Sequence, residues 1–156
     1  MKYQIRIRYP RPSARILYEA EGGLAYATPY SAGLDLRACF DDEECLIPAG
    51  SRAKIPSGIA VEPLAPGIAG FVYSRSGLGA VHGLTVAQGV GVIDPDYRGE
   101  IIVVLLNTSG EERRLRRGER IAQLVFQPIV RAELEVAETL GETERGAGGF
   151  GHTGRI

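Results

Sequence analysis

The sequence is poor in several features that would identify particular classes of protein. Its 156 residues include no tryptophan, one methionine and two cysteines, and the formal net charge is only −1. A chain this close to neutral does not as a whole attract nucleic acid or an anionic membrane, so any anion must meet locally placed arginines. We therefore expect no nucleic-acid partner.

Long apolar runs are also missing. None approaches the roughly 18–20 residues of a membrane-spanning helix, and residues 1–8 alternate charged and apolar side chains, unlike a signal peptide. The two cysteines, Cys39 and Cys45, do not form a CxxC pair, and only His82 and His152 could join them as zinc ligands. These observations predict a soluble cytoplasmic protein with reduced, structural cysteines, no zinc site and no membrane partner.

What the sequence does contain is a series of short β-rich runs separated by glycine or proline. Hydrophobic residues make up 44% of the chain, and 21 residues are glycine, which is typical of a folded protein with many turns. The pattern predicts a single all-β sandwich or barrel, with helix confined to residues 76–81 or 132–140. The predicted strands lie in residues 3–9, 34–39, 52–55, 58–61, 68–73, 84–87, 90–93, 101–106 and 121–130.

The C-terminal segment differs in composition from the rest. Residues 141–156 are rich in glycine and carry one aromatic side chain, Phe150, so they have little apolar surface to offset the entropy of ordering. We divide the chain into one β-barrel domain, residues 1–140, and a mobile tail, residues 141–156, that orders over what it binds. A plain disordered terminus is the alternative, although it would not need an isolated phenylalanine.

Residues 91–100 form the most informative segment. A turn needs only one aspartate, proline or glycine, but this one carries Asp94, Asp96 and Tyr97 between two apolar runs. Such a surplus of chemical groups favours a functional site. A polar hairpin tip without function is the alternative at this stage.

Two further segments have the groups needed to hold a phosphate chain. Arg75, Ser76 and Gly77 follow an apolar strand and offer a guanidinium, a hydroxyl and a permissive backbone. The glycines of residues 145–154 can approach an anion closely and donate backbone N–H groups to it. Taken alone, the first segment is equally compatible with an ordinary surface turn.

Together these segments resemble the five ordered motifs of the homotrimeric dUTP pyrophosphatases (dUTPases), from about position 20 to the end of the chain. The motifs are residues 32–36, 75–77, 91–100, 118–124 and 145–154. The resemblance implies a distorted jelly-roll or β-clip barrel of short, mostly antiparallel strands, and a homotrimer that shares its active sites between subunits. It also implies hydrolysis of dUTP to dUMP and pyrophosphate with Mg²⁺, which keeps uracil out of DNA and supplies dUMP for dTMP synthesis.

The resemblance implies a role for each residue of the third motif. Asp94 would act as the general base for water that attacks the α-phosphorus in line, and it would also contact the sugar 3′-hydroxyl. Tyr97 would lie against the deoxyribose and exclude a 2′-hydroxyl, unless it is simply a core aromatic. Asp96 would fix the turn.

The resemblance also implies partners for the base, the phosphates and the metal ion. Uracil would be bound beside residues 84–93, either by the Gln88 side chain or by its backbone, and Phe150 from a tail would stack on the ring. Asp35 would orient a water molecule of Mg²⁺. Many relatives have serine where this chain has His152, which would give closure an altered pH dependence near pH 6–7. The other base-binding residues implied are Gly89, Val92, Ile93 and Ile102; the phosphate-binding residues are Arg75, Ser76, Gly77, Arg120, Gln123, Arg145, Gly151, His152 and Thr153.

Two other functions must be weighed against this one. A dCTP deaminase of the same fold would carry a catalytic glutamate where this chain has Val104, and a non-catalytic β-barrel adaptor would need no catalytic acid. The acidic run 41–44 is interpreted as a solvated loop and the basic run 113–117 as an exposed strand face.

Overall fold

The computed structural model describes residues 2–149, and the regular secondary structure over that range consists of antiparallel strands and two short helices. In chain order the elements are β1 (Ile5–Arg8), α1 (Pro12–Glu19), β2 (Leu34–Arg37), β3 (Glu44–Ile47), β4 (Arg52–Pro56), β5 (Ala60–Pro63), β6 (Ile68–Ser74), α2 (Ser76–His82), β7 (Leu84–Val86), β8 (Val90–Ile93), β9 (Ile102–Asn107), β10 (Arg113–Arg116) and β11 (Arg120–Pro128). The predicted all-β class is confirmed.

The strands form four small sheets around one core. The largest has the order β2-β11-β6-β8, a second has the order β4-β9-β7, and the pairs β1-β5 and β10-β3 complete the fold. Apolar side chains from all four sheets meet in one buried cluster, as expected for a jelly-roll-like barrel. Fully buried members of the cluster include Leu36, Ile55, Leu105, Leu115 and Leu124.

The prediction of helices was right at one place and wrong at two. Helix α2 forms where expected and ends at Gly83, whose φ of 69° lies in the left-handed region that glycine adopts readily. Residues 132–140 form no helix. Helix α1 was not predicted; Pro12 stands in its first turn, where a missing N–H costs nothing.

Helix α1 is held by a buried tyrosine. Ala14 and Tyr18, one helical turn apart, face the core. The Tyr18 hydroxyl donates to the Ser57 carbonyl at 3.0 Å and accepts the Arg37 N–H at 2.8 Å. Burial raises the pKa of Tyr18 above its usual range. One phenol thus joins α1 to β2 and to the turn that follows β4.

The charged runs are partly strand. Strands β3 and β10 pair with each other, so Glu44 is not in a loop as predicted but in β3, where it contacts Arg114 at 3.0 Å. Within the basic run, Leu115 is buried while its neighbours Arg114 and Arg116 are exposed. This alternation of buried and exposed residues confirms the strand face predicted for residues 113–117. Strand β3 was not predicted, because the acidic run at its start is too polar to suggest a strand.

Beyond β11 the chain has no helix or strand as far as residue 149. Ile129 is half-buried, and the four large apolar side chains that follow it are between 89% and 100% exposed. We call residues 129–149 the C-terminal arm. The division of the chain at residue 140 stays a prediction. The exposed apolar residues of the arm are Val130, Leu134, Val136 and Leu140.

Within residues 2–149, neither helix has the length and apolar character needed to cross a membrane.

Candidate active site

The turn between β8 and β9 is held by its own backbone and by one arginine. The Tyr97 N–H donates to the Asp94 carbonyl at 3.1 Å and closes the turn. The Arg98 guanidinium donates back to the carbonyls of Pro95 at 2.7 Å and Tyr97 at 3.1 Å. Both ends continue into strands, so the side chains of the turn are presented on a fixed backbone.

Beside this turn lies a pocket of about 220 Å³. Six predicted base- and sugar-binding residues line it, together with core residues of β6, β7 and β9. A Cβ at Gly91 would lie 3.2 Å from the Val72 Cβ, so the glycine lets β8 pack closely against β6 at the pocket wall. Gly89 does not line the pocket; with φ 79° it forms the tight turn before β8. The six are Gln88, Val92, Ile93, Asp94, Tyr97 and Ile102.

Two carboxylates face the pocket, and only one of them is free. Glu100 accepts hydrogen bonds from Arg11 and from the Gly58 N–H. Within residues 2–149 no group donates to the Asp94 carboxylate, which is exposed at the pocket edge. Asp96 is exposed and lies outside the pocket lining. Asp94 is therefore the carboxylate available to take a proton.

Tyr97 is not a core aromatic, because it is 44% exposed. Its hydroxyl donates to the Glu100 carbonyl at 2.9 Å, and its ring folds over Gly99, where any Cβ would collide with the phenol. The ring is thus fixed at one side of the pocket with a face left open. The alternative interpretation of Tyr97 as a core aromatic is therefore excluded.

A second group of predicted residues gathers around Asp35. Arg75 Nε contacts one carboxylate oxygen at 3.0 Å, and Arg120 Nη1 contacts the other at 3.1 Å. Strand pairing places Asp35 opposite Gln123, and Gly33 makes room for that side chain, since a Cβ there would lie 3.0 Å from the Gln123 Cβ. One carboxylate between two guanidiniums leaves net positive charge and spare N–H donors.

These arginines line a different depression from the one beside Asp94. The second cleft is about 480 Å³ in volume and includes Arg75, Gly77 and Arg120, whereas the pocket beside Asp94 includes none of them. Ser76 is exposed at the start of α2. A single chain therefore divides the predicted site residues between two separate clefts.

The predicted residues of the tail are mostly beyond what the structure describes. Phe150, Gly151, His152 and Thr153 lie outside residues 2–149. Arg145 is exposed, and its Nε donates to the Gly148 carbonyl at 3.0 Å within a local turn. Their roles stay predictions.

Sequence reasoning missed two residues of the site. Glu100 lines the pocket, although it was noticed only as the end of the third motif. Arg11, far away in the chain, reaches it with Nε at 3.1 Å from Oε1. No sequence signal pointed to this pair, because contacts across 89 positions have no local pattern.

A carboxylate cage for a metal ion is not among the described residues, where no three His, Cys, Asp or Glu side chains gather. Mg²⁺ commonly keeps several waters and takes further oxygens from phosphates, so it needs no such cage. Asp35, already bound to two arginines, is compatible with an outer contact through water. The donor set fits Mg²⁺ carried by a polyphosphate.

Comparison with known proteins agrees with this geometry. The dUTPase family model matches residues 23–154. The deoxyuridine 5′-triphosphate nucleotidohydrolase of Desulfitobacterium hafniense DCB-2 is 50% identical over 129 residues, covering 83% of this chain and 85% of that protein. The Salmonella typhimurium protein of the same name is 48% identical over 130 residues, with the same coverage.

Solved structures resemble the fold as well. The dUTPase from Streptococcus mutans matches with a TM-score of 0.63 and 30% identity over 70% of this chain and 87% of that one. A mutant dUTPase of Staphylococcus bacteriophage 80alpha with bound dUpNHpp matches with a TM-score of 0.82, covering 98% of this chain and 99% of that one. At 24% identity the second comparison supports the fold alone.

Proposed function

Because this chain belongs to the dUTPase family, we propose that the pocket beside Asp94 is where it hydrolyses dUTP to dUMP and pyrophosphate. The observation that carries the proposal is the free Asp94 carboxylate at the edge of an apolar pocket whose other carboxylate is already occupied. The reaction keeps uracil out of DNA and supplies dUMP for dTMP synthesis.

In this mechanism Asp94 takes a proton from the attacking water. The water oxygen forms a bond to the α-phosphorus, and the bond from that phosphorus to the bridging oxygen of the β-phosphate breaks in line. The electron pair leaves with pyrophosphate. A base that is exposed and free of internal partners needs no rearrangement before it accepts the proton.

Selectivity for a deoxyuridine nucleotide would come from the walls of the pocket. The Tyr97 ring, fixed over Gly99, would leave no space or hydrogen-bond partner for a 2′-hydroxyl. Gln88 and the backbone beside Gly91 would pair with uracil, and cytosine would present the reverse pattern of donors and acceptors. A buried polar group left unpaired costs about 1–3 kcal/mol, which supports strong rejection of cytosine.

The triphosphate would be held by groups from other subunits. Arg75 and Arg120 around Asp35, with Ser76, Gly77 and Gln123, would meet the phosphates in a neighbouring chain. Arg145, Gly151, His152 and Thr153 of a third chain would bind the γ-phosphate, with Phe150 stacked on uracil. The separation of the two clefts supports this arrangement, because within residues 2–149 of one chain Arg75 and Arg120 do not line the pocket beside Asp94. Mg²⁺ supplies charge neutralisation on the triphosphate when bound.

The C-terminal arm supports assembly into a trimer. Its exposed apolar residues, among them Leu134 and Val136, make almost no contact within the chain, so they need a surface on another copy. Strand β1 pairs on one side only among the described residues. It carries Arg6 and Arg8, whose charge is opposite to that of the glutamates in the arm. A partner strand is therefore expected there.

A cytoplasmic location is part of the proposal. Cys39 and Cys45 are both free thiols, which is ordinary in a reducing compartment.

One assay tests the function against its rivals. The protein is incubated with Mg²⁺ and dUTP, dCTP or UTP, and pyrophosphate and ammonia are measured. Pyrophosphate from dUTP alone supports the proposal. Ammonia from dCTP would instead identify a deaminase, and neither product from any nucleotide would leave a non-catalytic adaptor.

A further inference from the structure

The carboxylate of Glu100 lies behind the catalytic turn and is only 15% exposed. Oε1 accepts the Gly58 N–H at 2.8 Å and Arg11 Nε at 3.1 Å, and Oε2 lies 3.2 Å from the same Nε. Each of these bonds comes from a segment distant in sequence. Glu100 is therefore fixed from outside its own turn.

Both donors to Glu100 are themselves positioned by helix α1. Arg11 is the residue that immediately precedes the helix. Gly58 has φ +70°, and a Cβ there would collide with Ala14 of the helix and with Cys39. The hydrogen bond that Arg11 donates to Glu100, together with the negative charge of that carboxylate, raises the pKa of Arg11, so the guanidinium stays cationic. Helix α1 thus sets the place at which the Glu100 carboxylate can dock.

The backbone of Glu100 in turn receives the Tyr97 phenol. The hydroxyl donates to the Glu100 carbonyl at 2.9 Å, while the ring packs over Gly99. If the Glu100 side chain is released, its peptide keeps the bond from the Ile101 N–H to the Ile59 carbonyl at 2.8 Å but loses the anchors to Arg11 and Gly58. The carbonyl can then rotate out of line with the Tyr97 hydroxyl. The phenol then becomes free to tilt away from the pocket.

Asp94 does not depend on the same contacts. It follows directly after β8, which pairs with β6, and its carbonyl is bound by the Tyr97 N–H. Arg98 braces the Pro95 carbonyl separately. Loosening Glu100 therefore disturbs the phenol more than it disturbs the catalytic carboxylate.

We propose that Arg11 and Glu100 are positioning residues that hold the Tyr97 phenol and so set discrimination between deoxyribose and ribose. The proposal rests on the function proposed above. Neither residue need touch the nucleotide. An arginine outside the five sequence motifs thereby becomes part of the specificity of the enzyme.

The test compares kcat/KM for dUTP and UTP in the full-length protein. Arg11→Met is expected to lower the dUTP/UTP ratio about tenfold, the scale on which pocket shape discriminates, with most of the change in the rate on UTP. Arg11→Lys, which can still place a cation near Glu100, should restore part of the ratio. Arg15→Met is the matched control, because Arg15 makes an exposed pair with Glu19 on the same helix; its ratio should stay at the wild-type value.

A double-mutant cycle separates positioning from general loosening. In a Tyr97→Phe background the hydroxyl is already gone, so adding Arg11→Met should change the ratio little further. Glu100→Gln gives a second route to the same result if Arg11→Met does not fold, as monitored by thermal unfolding. Equal ratios in wild type and these variants, or fully additive effects in the cycle, would overturn the proposal.

The outcomes also distinguish the positioning role of Arg11 and Glu100 from the proposed hydrolysis of dUTP. A wild-type protein that does not hydrolyse dUTP would refute the proposed function itself. A wild-type protein that hydrolyses dUTP, with an unchanged dUTP/UTP ratio in Arg11→Met and Glu100→Gln, would refute only the positioning role.

Discussion

The nucleoside pocket and the phosphate cleft are built in different ways. The pocket beside Asp94 draws most of its polar groups from one continuous stretch of chain, residues 88–102, which runs along β8, through a tight turn and into β9. The cleft around Asp35 draws on β2, on the start of α2 and on β11. Local chain geometry supplies most of the first, whereas the second exists because β2 and β11 pair in one sheet with β6, the strand that leads into α2.

This difference indicates which part of the proposed site would depend on the assembly of several copies of the chain. A pocket made largely from one continuous stretch of chain is present in every folded copy. In the arrangement proposed above, the phosphate site would need the tail and would become complete only when copies meet. The nucleoside pocket and the phosphate cleft should therefore respond differently to changes in the turn, in the tail or in the buried contacts that hold helix α1.

The largest effect is expected from removing the tail. A chain ending at Glu144 lacks Arg145 and everything after it, so the γ-phosphate and the base lose their covering groups and turnover should be abolished. The trimer should persist, because the exposed apolar residues of the arm remain. Pyrophosphate release and light scattering measure the two properties. A matched chain ending at Pro128 lacks the whole arm and should lose the trimer; loss of the trimer already at Glu144 would show that the tail is structural.

Asp94→Asn should have the next largest effect, confined to the nucleoside half. The amide cannot accept the proton, so kcat should fall by about 10²–10⁴-fold. Binding of a non-hydrolysable dUTP analogue, followed by calorimetry, should survive, since the pocket walls are unchanged. Asp96→Asn is the control, and its kcat should stay near the wild-type value. Equal losses in the two variants would remove Asp94 from its role as base.

Arg120→Ala tests the phosphate half and should act mainly on KM. Loss of one hydrogen bond to a charged phosphate is expected to raise KM about 10–100-fold, with a smaller change in kcat. The KM of the variant should also depend less on salt, because one ionic contact is missing. Arg114→Ala, in an exposed ion pair with Glu44, should leave KM unchanged. A rise in KM for both Arg120→Ala and Arg114→Ala would indicate that the overall positive charge of the protein, and not a direct contact from Arg120, holds the phosphates.

Tyr18→Phe should have the smallest effect on activity. It should instead lower the stability of the fold, because the Tyr18 hydroxyl joins helix α1 to Ser57 and Arg37. It leaves the Ser57 carbonyl and the Arg37 N–H without a partner, at a cost of about 1–3 kcal/mol in the free energy of unfolding. The pKa of Tyr18 is raised in the folded state. Its contribution is therefore complete below the unfolded value of about 10 and is lost as the pH rises above it.

Denaturant unfolding at pH 7 and pH 11 checks this sign. The wild type should lose more stability than Tyr18→Phe between the two values. Identical losses would show that another group governs alkaline unfolding. At pH 7, kcat for dUTP should change little in the folded variant, because neither Ser57 nor Arg37, the two partners of the Tyr18 hydroxyl, lines the pocket beside Asp94.

Much of the pocket could be predicted from sequence because its signals are local. The alternation of β8, the turn residues after it and the apolar β9 lie within a few positions of one another, and Asp94 and Tyr97 both line the pocket. Gly89, with a positive φ, shapes the turn without lining the pocket, and the roles of all three residues stay predictions.

The errors have a common cause in tertiary contacts. Helix α1 forms where the local pattern was weak, because Tyr18 finds two buried partners. Residues 132–140 lack a helix although their composition permits one. Strand β3 is too acidic to suggest a strand, yet its pairing with the arginines of β10 stabilises it.

The sequence by itself determined the class of fold and the family motifs, because periodicity and turn chemistry act over a few residues. The choice of Asp94 among the acids of the turn followed from the resemblance of those motifs to the family. The tertiary structure alone decided that Arg11 reaches Glu100, that Asp35 lies between two arginines, and that the two clefts are separate. Those facts depend on which distant segments pair and pack, and the free energy of such contacts has no signature in the local order of residues.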